Sequence, residues 1–513
     1  MNAIDFTFSD LVAGYVTGFD RAADRFTMKT SDGREYTVGL TANTFAEMIR
    51  NLGEAFKNAS DAMRDMLVPG RFVFAYGVFY PDGPGGTVQF DAKHLVFPGR
   101  TESAFDFEKP DWWVWQIDQL AKFYVDAEFG EGDIDYRGYR TSLTLTGQRQ
   151  KSERQETDTM SRLVYGFASA YLLTGNDRYL EAAEKGTEYL RKHMRFVDAG
   201  EDIVYWYHAV DVTDDGREQK IFASEFGDDY QALPCYEQIY ALAGPVQTYR
   251  VTGDAAIYDD ARRTINLFDR YYKDHGAAGG YFSHIDPIAL SPMSDSLGSN
   301  RARKNWNSVG DHAPAYLINL WLATGEEKFA DFLEYTFDTI CAHFPDYENS
   351  PFVNERFHED WSKDQSWGWQ QNRAVVGHNL KIAWNLMRMQ SLRSKASYLA
   401  TARRIADTIP DHGCDRQRGG WYDVVERVLA PEQKFHRYAW HDRKAWWQQE
   451  QGILAYLILH GLTKNPDYLR YAREGSAFYN AFFLDVDSGG VYFNVLANGQ
   501  PYALGTERGK GSH

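Results

Sequence analysis

The chain has 513 residues, more than one ordinary core, so either two domains or one large toroidal domain with an appendage is expected. Lys and Arg number 55 against 72 Asp and Glu, and the formal charge of −17 argues against nucleic acid or an anionic membrane as the main partner. Aromatic residues make up 15% of the chain, which fits either a generous core or flat faces for sugar rings.

In chain order, the opening MNAIDFTFSD has no basic stretch leading into an apolar run, and no later stretch approaches the roughly 20 apolar residues of a membrane span. A soluble, cytoplasmic protein is expected. From Phe6 to about Phe97, short alternating runs such as RFTMKTSDGREYTVGL and RFVFAYGVFY read as strands, with Ser31-Asp32-Gly33 as a hairpin turn. A helix is expected near Ala42–Lys57. Residues 1–99 therefore form a small β-rich domain, compatible with a barrel, and 100–111 read as a linker.

From Trp112 to the end (112–513) the texture is helical, and one design recurs: LLTGNDRYLEAAEKGTEYL, RVTGDAAIYDDARRTINLF, LATGEEKFADFLEYTFDTI and GLTKNPDYLRYAREGSAFY. Each is a helix end, a Thr-Gly or Thr-Lys turn, and a second amphipathic helix with an acidic start. A two-helix unit at this long period predicts a closed ring of hairpins rather than an open solenoid. Eleven helices are counted, at about 112–128, 156–174, 177–194, 229–251, 254–274, 309–324, 326–343, 376–392, 396–410, 443–461 and 465–483. The glycine-aromatic signals GGYF, GGWY and GGVYF each predict a short hairpin at one shared end of the ring. Cys235, Cys341 and Cys414 stand far apart without CxxC or Cys/His spacing, so no disulfide framework and no metal site are expected.

Five helical segments, in order, resemble the N-acylglucosamine 2-epimerase and cellobiose 2-epimerase superfamily, over about four-fifths of the chain and excluding the β-rich part. They are TDTMSRLVYGFASAYLLTG, YEQIYALAGPVQTYRVTGD, NSVGDHAPAYLINLWLATG, GHNLKIAW and KAWWQQEQGILAYL. The resemblance implies an (α/α)6 barrel, a cofactor-independent sugar 2-epimerase or aldose–ketose isomerase, and a mono- or oligosaccharide substrate. It implies catalytic roles for His378, His312 and Arg162, and substrate contacts from Tyr236, Gln238, Trp446, Trp447, Gln449 and Lys381. Three positions depart from the family pattern: Ser308 stands for an asparagine, while Lys381 and Gln451 stand for acids.

Epimerisation beside a carbonyl needs a proton removed from C2 and returned on the other face, a task suited to groups of near-neutral pKa such as histidine. The enediolate between these steps needs fixed donors, a role for Arg162 and His312. Return of the proton at C1 instead gives the isomerase outcome. A twelfth barrel helix is expected by the resemblance, carrying a second catalytic histidine, and the sequence ends where it should start. A longer natural chain is the expectation from this. The competing functions are a glycan-binding protein on the same scaffold, motivated by Lys381 and Gln451, and a glycoside hydrolase or lyase, for which Asp228-Asp229 offers carboxylates. A homo-oligomer is compatible with all of them.

Overall fold

Alternation of the kind seen in RFTMK folds as a strand because Phe26 and Met28 can enter a core while Arg25, Thr27 and Lys29 stay exposed. The computed structural model describes residues 6–81, 88–213, 215–224, 231–305, 313–365, 372–439, 441–504 and 508–511. The first strands are β1 (Phe8–Asp20), β2 (Arg25–Lys29), β3 (Glu35–Gly39), β4 (Phe45–Met48), β5 (Phe72–Tyr80) and β6 (Gln89–Phe97). They run in the order β3-β2-β1-β5-β6, and a parallel pairing of β3 with β6 closes the sheet into a barrel. Val12, Phe26, Val73, Phe90 and Leu95 fill its interior.

The helix expected at 42–57 is not formed. Phe45–Met48 instead pairs in parallel with β6, in register with His94–Phe97, and the nearby helical turn is Met63–Met66. TFAEMIRNL has a helix-like apolar spacing, but the open edge of β6 offers ladder hydrogen bonds that override it.

The helical part begins with α1 (Trp112–Glu128), α2 (Thr157–Thr174), α3 (Asp177–His193), α4 (Cys235–Thr252), α5 (Ala255–Leu267) and α6 (Ala313–Thr324). It continues with α7 (Glu327–His343), α8 (Val376–Leu392), α9 (Ala396–Thr408), α10 (Trp446–Thr463) and α11 (Pro466–Phe478), giving eleven long helices among the described residues. α2, α4, α6, α8 and α10 form an inner layer. Helix α4 is buried on nearly every face, whereas outer α3 buries one stripe, Tyr179, Ala182, Ala183, Gly186 and Leu190.

The Thr-Gly turns join inner to outer helices. Gly175 ends α2 with φ 71°, its N–H donating to Tyr171 O, while Thr174 Oγ1 donates to Ala170 O at 2.8 Å. The same geometry recurs at Thr252-Gly253 and Thr324-Gly325, and Lys464 takes the left-handed conformation at φ 59° after Thr463.

At the other end, four inner helices are entered through a short strand: Arg154–Glu156, Leu233–Pro234, Arg373–Val375 and Lys444–Ala445. Each pairs antiparallel with a strand from later in the chain, tying the helix N-termini into one rim. These strands shorten the expected helices, which start at Cys235 rather than near 229 and at Trp446 rather than near 443. The Gly-Gly hairpins expected at this end are closed by bridges between Lys273 and Tyr281, Cys414 and Trp421, and Leu484 and Val491. Each is locked by an Asp–Lys ion pair: Asp274–Lys304 at 2.6 Å, Asp415–Lys444 at 3.0 Å, and Asp485–Lys510.

The β-barrel docks on the outside of the helical body. Asp10 receives two hydrogen bonds from Arg418 at 2.8 and 2.6 Å, Tyr15 and Ser31 donate to Glu474, and Phe74 packs edge-on against Phe478 and Phe482. No helix among the described residues is long and apolar enough to cross a membrane.

Candidate active site

The inner helices converge on a cavity of about 620 Å³. Helix α2 contributes Asp158, Arg162 and Tyr165; α4 contributes Tyr236 and Tyr240; α6 contributes Tyr316. Helix α8 presents His378, Lys381, Trp384 and Arg388, a stripe at helical spacing. Helix α10 adds Trp446, Trp447, Glu450 and Gln451, and the wall between α10 and α2 is completed by Phe493 and Arg508.

His378 is the third residue of α8 and is only 4% exposed. Its Nδ1 lies 2.8 Å from Oε2 of Glu355, an arrangement in which Nδ1–H donates to the carboxylate. Glu355 comes from the irregular segment between α7 and α8. It anchors the imidazole from outside the helix. The Trp447 ring lies 5.6 Å from the imidazole, centroid to centroid.

Lys381, one turn further on, is buried, with Nζ 3.5 Å from the Tyr240 hydroxyl and facing the Tyr240 and Tyr316 rings at 5.5 and 5.9 Å. Gln451, the second position where an acid was expected, accepts a 2.7 Å hydrogen bond from Trp384 Nε1 and so fixes that indole.

Arg162 donates to the Asp158 carboxylate at 2.6 Å and stacks over the Tyr240 ring at 4.4 Å. Burial alone would raise the Asp158 carboxyl, but Arg162, then Arg508 and His208, hold it below the ordinary value. Behind this pair, His208 Nδ1 lies 2.6 Å from Glu237. Burial opposes its charge, yet Glu237 pushes the imidazole up to about 9. Arg508 pairs with Glu156 across the rim. Glu450 reaches the cavity while protein surrounds it, and this desolvation raises its carboxyl despite a 2.9 Å hydrogen bond from Tyr479.

Of the residues expected at the site, His378, Arg162, Tyr236, Lys381, Trp446 and Trp447 line the cavity. Gln238 and Gln449 do not. Gln238 accepts from Trp206 N at 2.8 Å and donates to Trp206 O at 3.1 Å. Gln449 does the same with Trp421, at 2.7 and 2.9 Å. Both are wholly buried, and each staples a hairpin backbone to an inner helix rather than facing substrate. His312, Ser308 and the Asp228-Asp229 pair lie outside the described residues. Among the described residues, no group of three or more His, Cys, Asp or Glu is placed to hold a metal ion.

Sequence reasoning missed Glu355, Glu450, Arg388 and Arg508. Arg388 had a signal, since it continues the face of α8 two turns beyond Lys381. Glu355 had none, because it enters from a loop.

Comparison with known proteins gives a consistent result. The family described as N-acylglucosamine 2-epimerase matches residues 138–226 and 299–513. An N-acylglucosamine 2-epimerase of Bos taurus is 22% identical over 401 residues, covering 76% of this chain and 84% of its own. A D-mannose isomerase of Marinomonas mediterranea is 21% identical over 330 residues, covering 60% and 71%. Among solved structures, a cellobiose 2-epimerase from Spirochaeta thermophila superposes with a TM-score of 0.61 at 19% identity, covering 75% of this chain and 88% of that one. At that identity the likeness shows the fold.

Proposed function

The chain belongs to the N-acylglucosamine 2-epimerase family and is an enzyme of the carbohydrate epimerase/isomerase class, and we propose that it moves the proton at C2 of a reducing sugar. The observation that supports this most is the His378–Glu355 pair, set in the wall of an aromatic cavity that also carries Arg162.

The sugar stacks on Trp447 and Tyr236, whose faces suit the C–H surface of a pyranose. Once the ring opens, the C1 carbonyl acidifies the C2 hydrogen. His378 Nε2 takes that proton, and Glu355 stabilises the imidazolium through Nδ1–H. The electron pair left on C2 moves toward the carbonyl oxygen, giving an enediolate. Arg162 is the fixed donor for this oxyanion, and the positive ends of the inner helices at the rim add to its stabilisation. A proton returned to C2 on the opposite face gives the epimer; a proton delivered to C1 gives the ketose. His312 is the expected second donor. No cofactor is required in this scheme, since the C2 proton is removed and replaced without net oxidation.

Incubation with N-acetylglucosamine, mannose, glucose and cellobiose, followed by product analysis by NMR, tests the reading. Appearance of a C2 epimer or a 2-ketose from any of them supports it, and the absence of both products from a wider panel of reducing sugars sinks it.

A further inference from the structure

Among the described residues, Arg162, Lys381, Arg388 and Arg508 line the cavity together with two carboxylates, Asp158 and Glu450. The chain as a whole carries −17, so this excess of cations runs against its overall charge. Asp158 partners Arg162, and Glu156 partners Arg508. Arg388 differs from both. Its guanidinium donates to Asn319 Oδ1 at 3.2 Å and lies 5.7 Å from the Trp384 ring, and among the described residues no carboxylate forms an ion pair with it. Burial holds its guanidinium below the ordinary value; Tyr165 works against that lowering, and the repulsion of Arg250 adds to it.

A guanidinium largely removed from water without a counter-ion is costly, and a hydrogen bond to Asn319 could be made by a neutral side chain. The arrangement is explained if the counter-ion arrives with the ligand. Arg388 lies ten residues beyond His378 on the same helix, roughly 15 Å along the axis. That span exceeds a single pyranose, so the charged group belongs to a sugar unit other than the reacting one.

We infer that the cavity takes an acidic di- or oligosaccharide whose reducing unit lies at His378 and whose oxyanion, a carboxylate or a sulfate or phosphate ester, pairs with Arg388. The placement of the reducing unit rests on the isomerisation reading above; the oxyanion subsite does not. Planar, bidentate recognition by arginine suits each of these oxyanions.

Calorimetric titration of the full chain with cellobiose, cellobiouronic acid and a terminally sulfated lactose tests the inference, and comparing the two acids separates carboxylate from sulfate recognition. At least one acid should bind about tenfold or more tighter than cellobiose, and the advantage should shrink with added salt. Arg388→Met should reduce that advantage to less than about threefold, and Arg388→Lys should restore part of it. Equal affinities for acidic and neutral sugars in the wild type overturn the inference, as does an advantage that survives Arg388→Met. Should Arg388→Met not fold, Arg388→Lys and the salt series decide. Arg388-dependent binding without any C2 chemistry would leave this inference standing and remove the isomerisation reading. C2 chemistry without acid preference would do the reverse.

Discussion

Glu355 holds His378 through a 2.8 Å contact to Nδ1, reaching it from the irregular segment between α7 and α8. The pair is buried at both ends, with side-chain exposures of 5% and 10%. Glu355→Gln should therefore lower kcat for C2 exchange by about 10–100-fold while KM changes only a few-fold, because the ring loses its orientation and the stabiliser of its charged form. Steady-state kinetics on the variant check this. Combining it with His378→Asn should add little to the loss from His378→Asn alone.

Lys381 projects its ammonium onto a wall made of Tyr240 and Tyr316. If it donates to a sugar hydroxyl, Lys381→Met removes a charged hydrogen bond worth about 1.5–3 kcal/mol and raises KM by at least about tenfold. An unchanged KM would place Lys381 in the structure of the wall rather than in substrate recognition.

Gln449 is wholly buried and makes two hydrogen bonds to the Trp421 backbone. Gln449→Leu leaves a buried N–H and C=O without partners, so a loss of about 2–4 kcal/mol in stability is expected from chemical denaturation. KM should stay within a few-fold. A selective rise in KM without loss of stability would return Gln449 to the binding site.

These cases show what was readable in the sequence. The Thr-Gly turns were, because Gly175 and Thr174 satisfy the ends of their own helix through neighbours four residues away. The Gly-Gly hairpins were readable for the same local reason. Arg162 and His378, which line the cavity, stood out by their place in ordered segments. Gln238 and Gln449 came with those segments, but spacing along an inner helix cannot separate a side chain facing the cavity from one facing a hairpin backbone. Glu355 could not be found, since its approach to His378 depends on how an irregular loop lies across the rim. The strand at Phe45–Met48 was read as helix because its partner, β6, lies more than forty residues later.

Glu128, at the end of α1, is 4% exposed, and burial pushes its carboxyl from the ordinary 4.5 to about 8, although Arg140 N–H donates to it at 3.0 Å. The folded state thus holds a proton that the unfolded chain releases. This contribution to stability is complete below about pH 4.5 and is lost as the pH rises through about 8. Thermal unfolding should show Tm falling over that window. Glu128→Gln mimics the protonated form, so it should flatten the dependence and be on the order of 4 kcal/mol more stable than the wild type at pH 8.

The most direct test is exchange of the C2 hydrogen in D2O, followed by NMR on the sugar that the wild type turns over fastest. The wild type should place deuterium at C2, or at C1 of a ketose product, and His378→Asn should lose at least about a hundredfold of that rate while remaining folded. Exchange that persists in folded His378→Asn would contradict the assignment of His378 as the group that takes the proton.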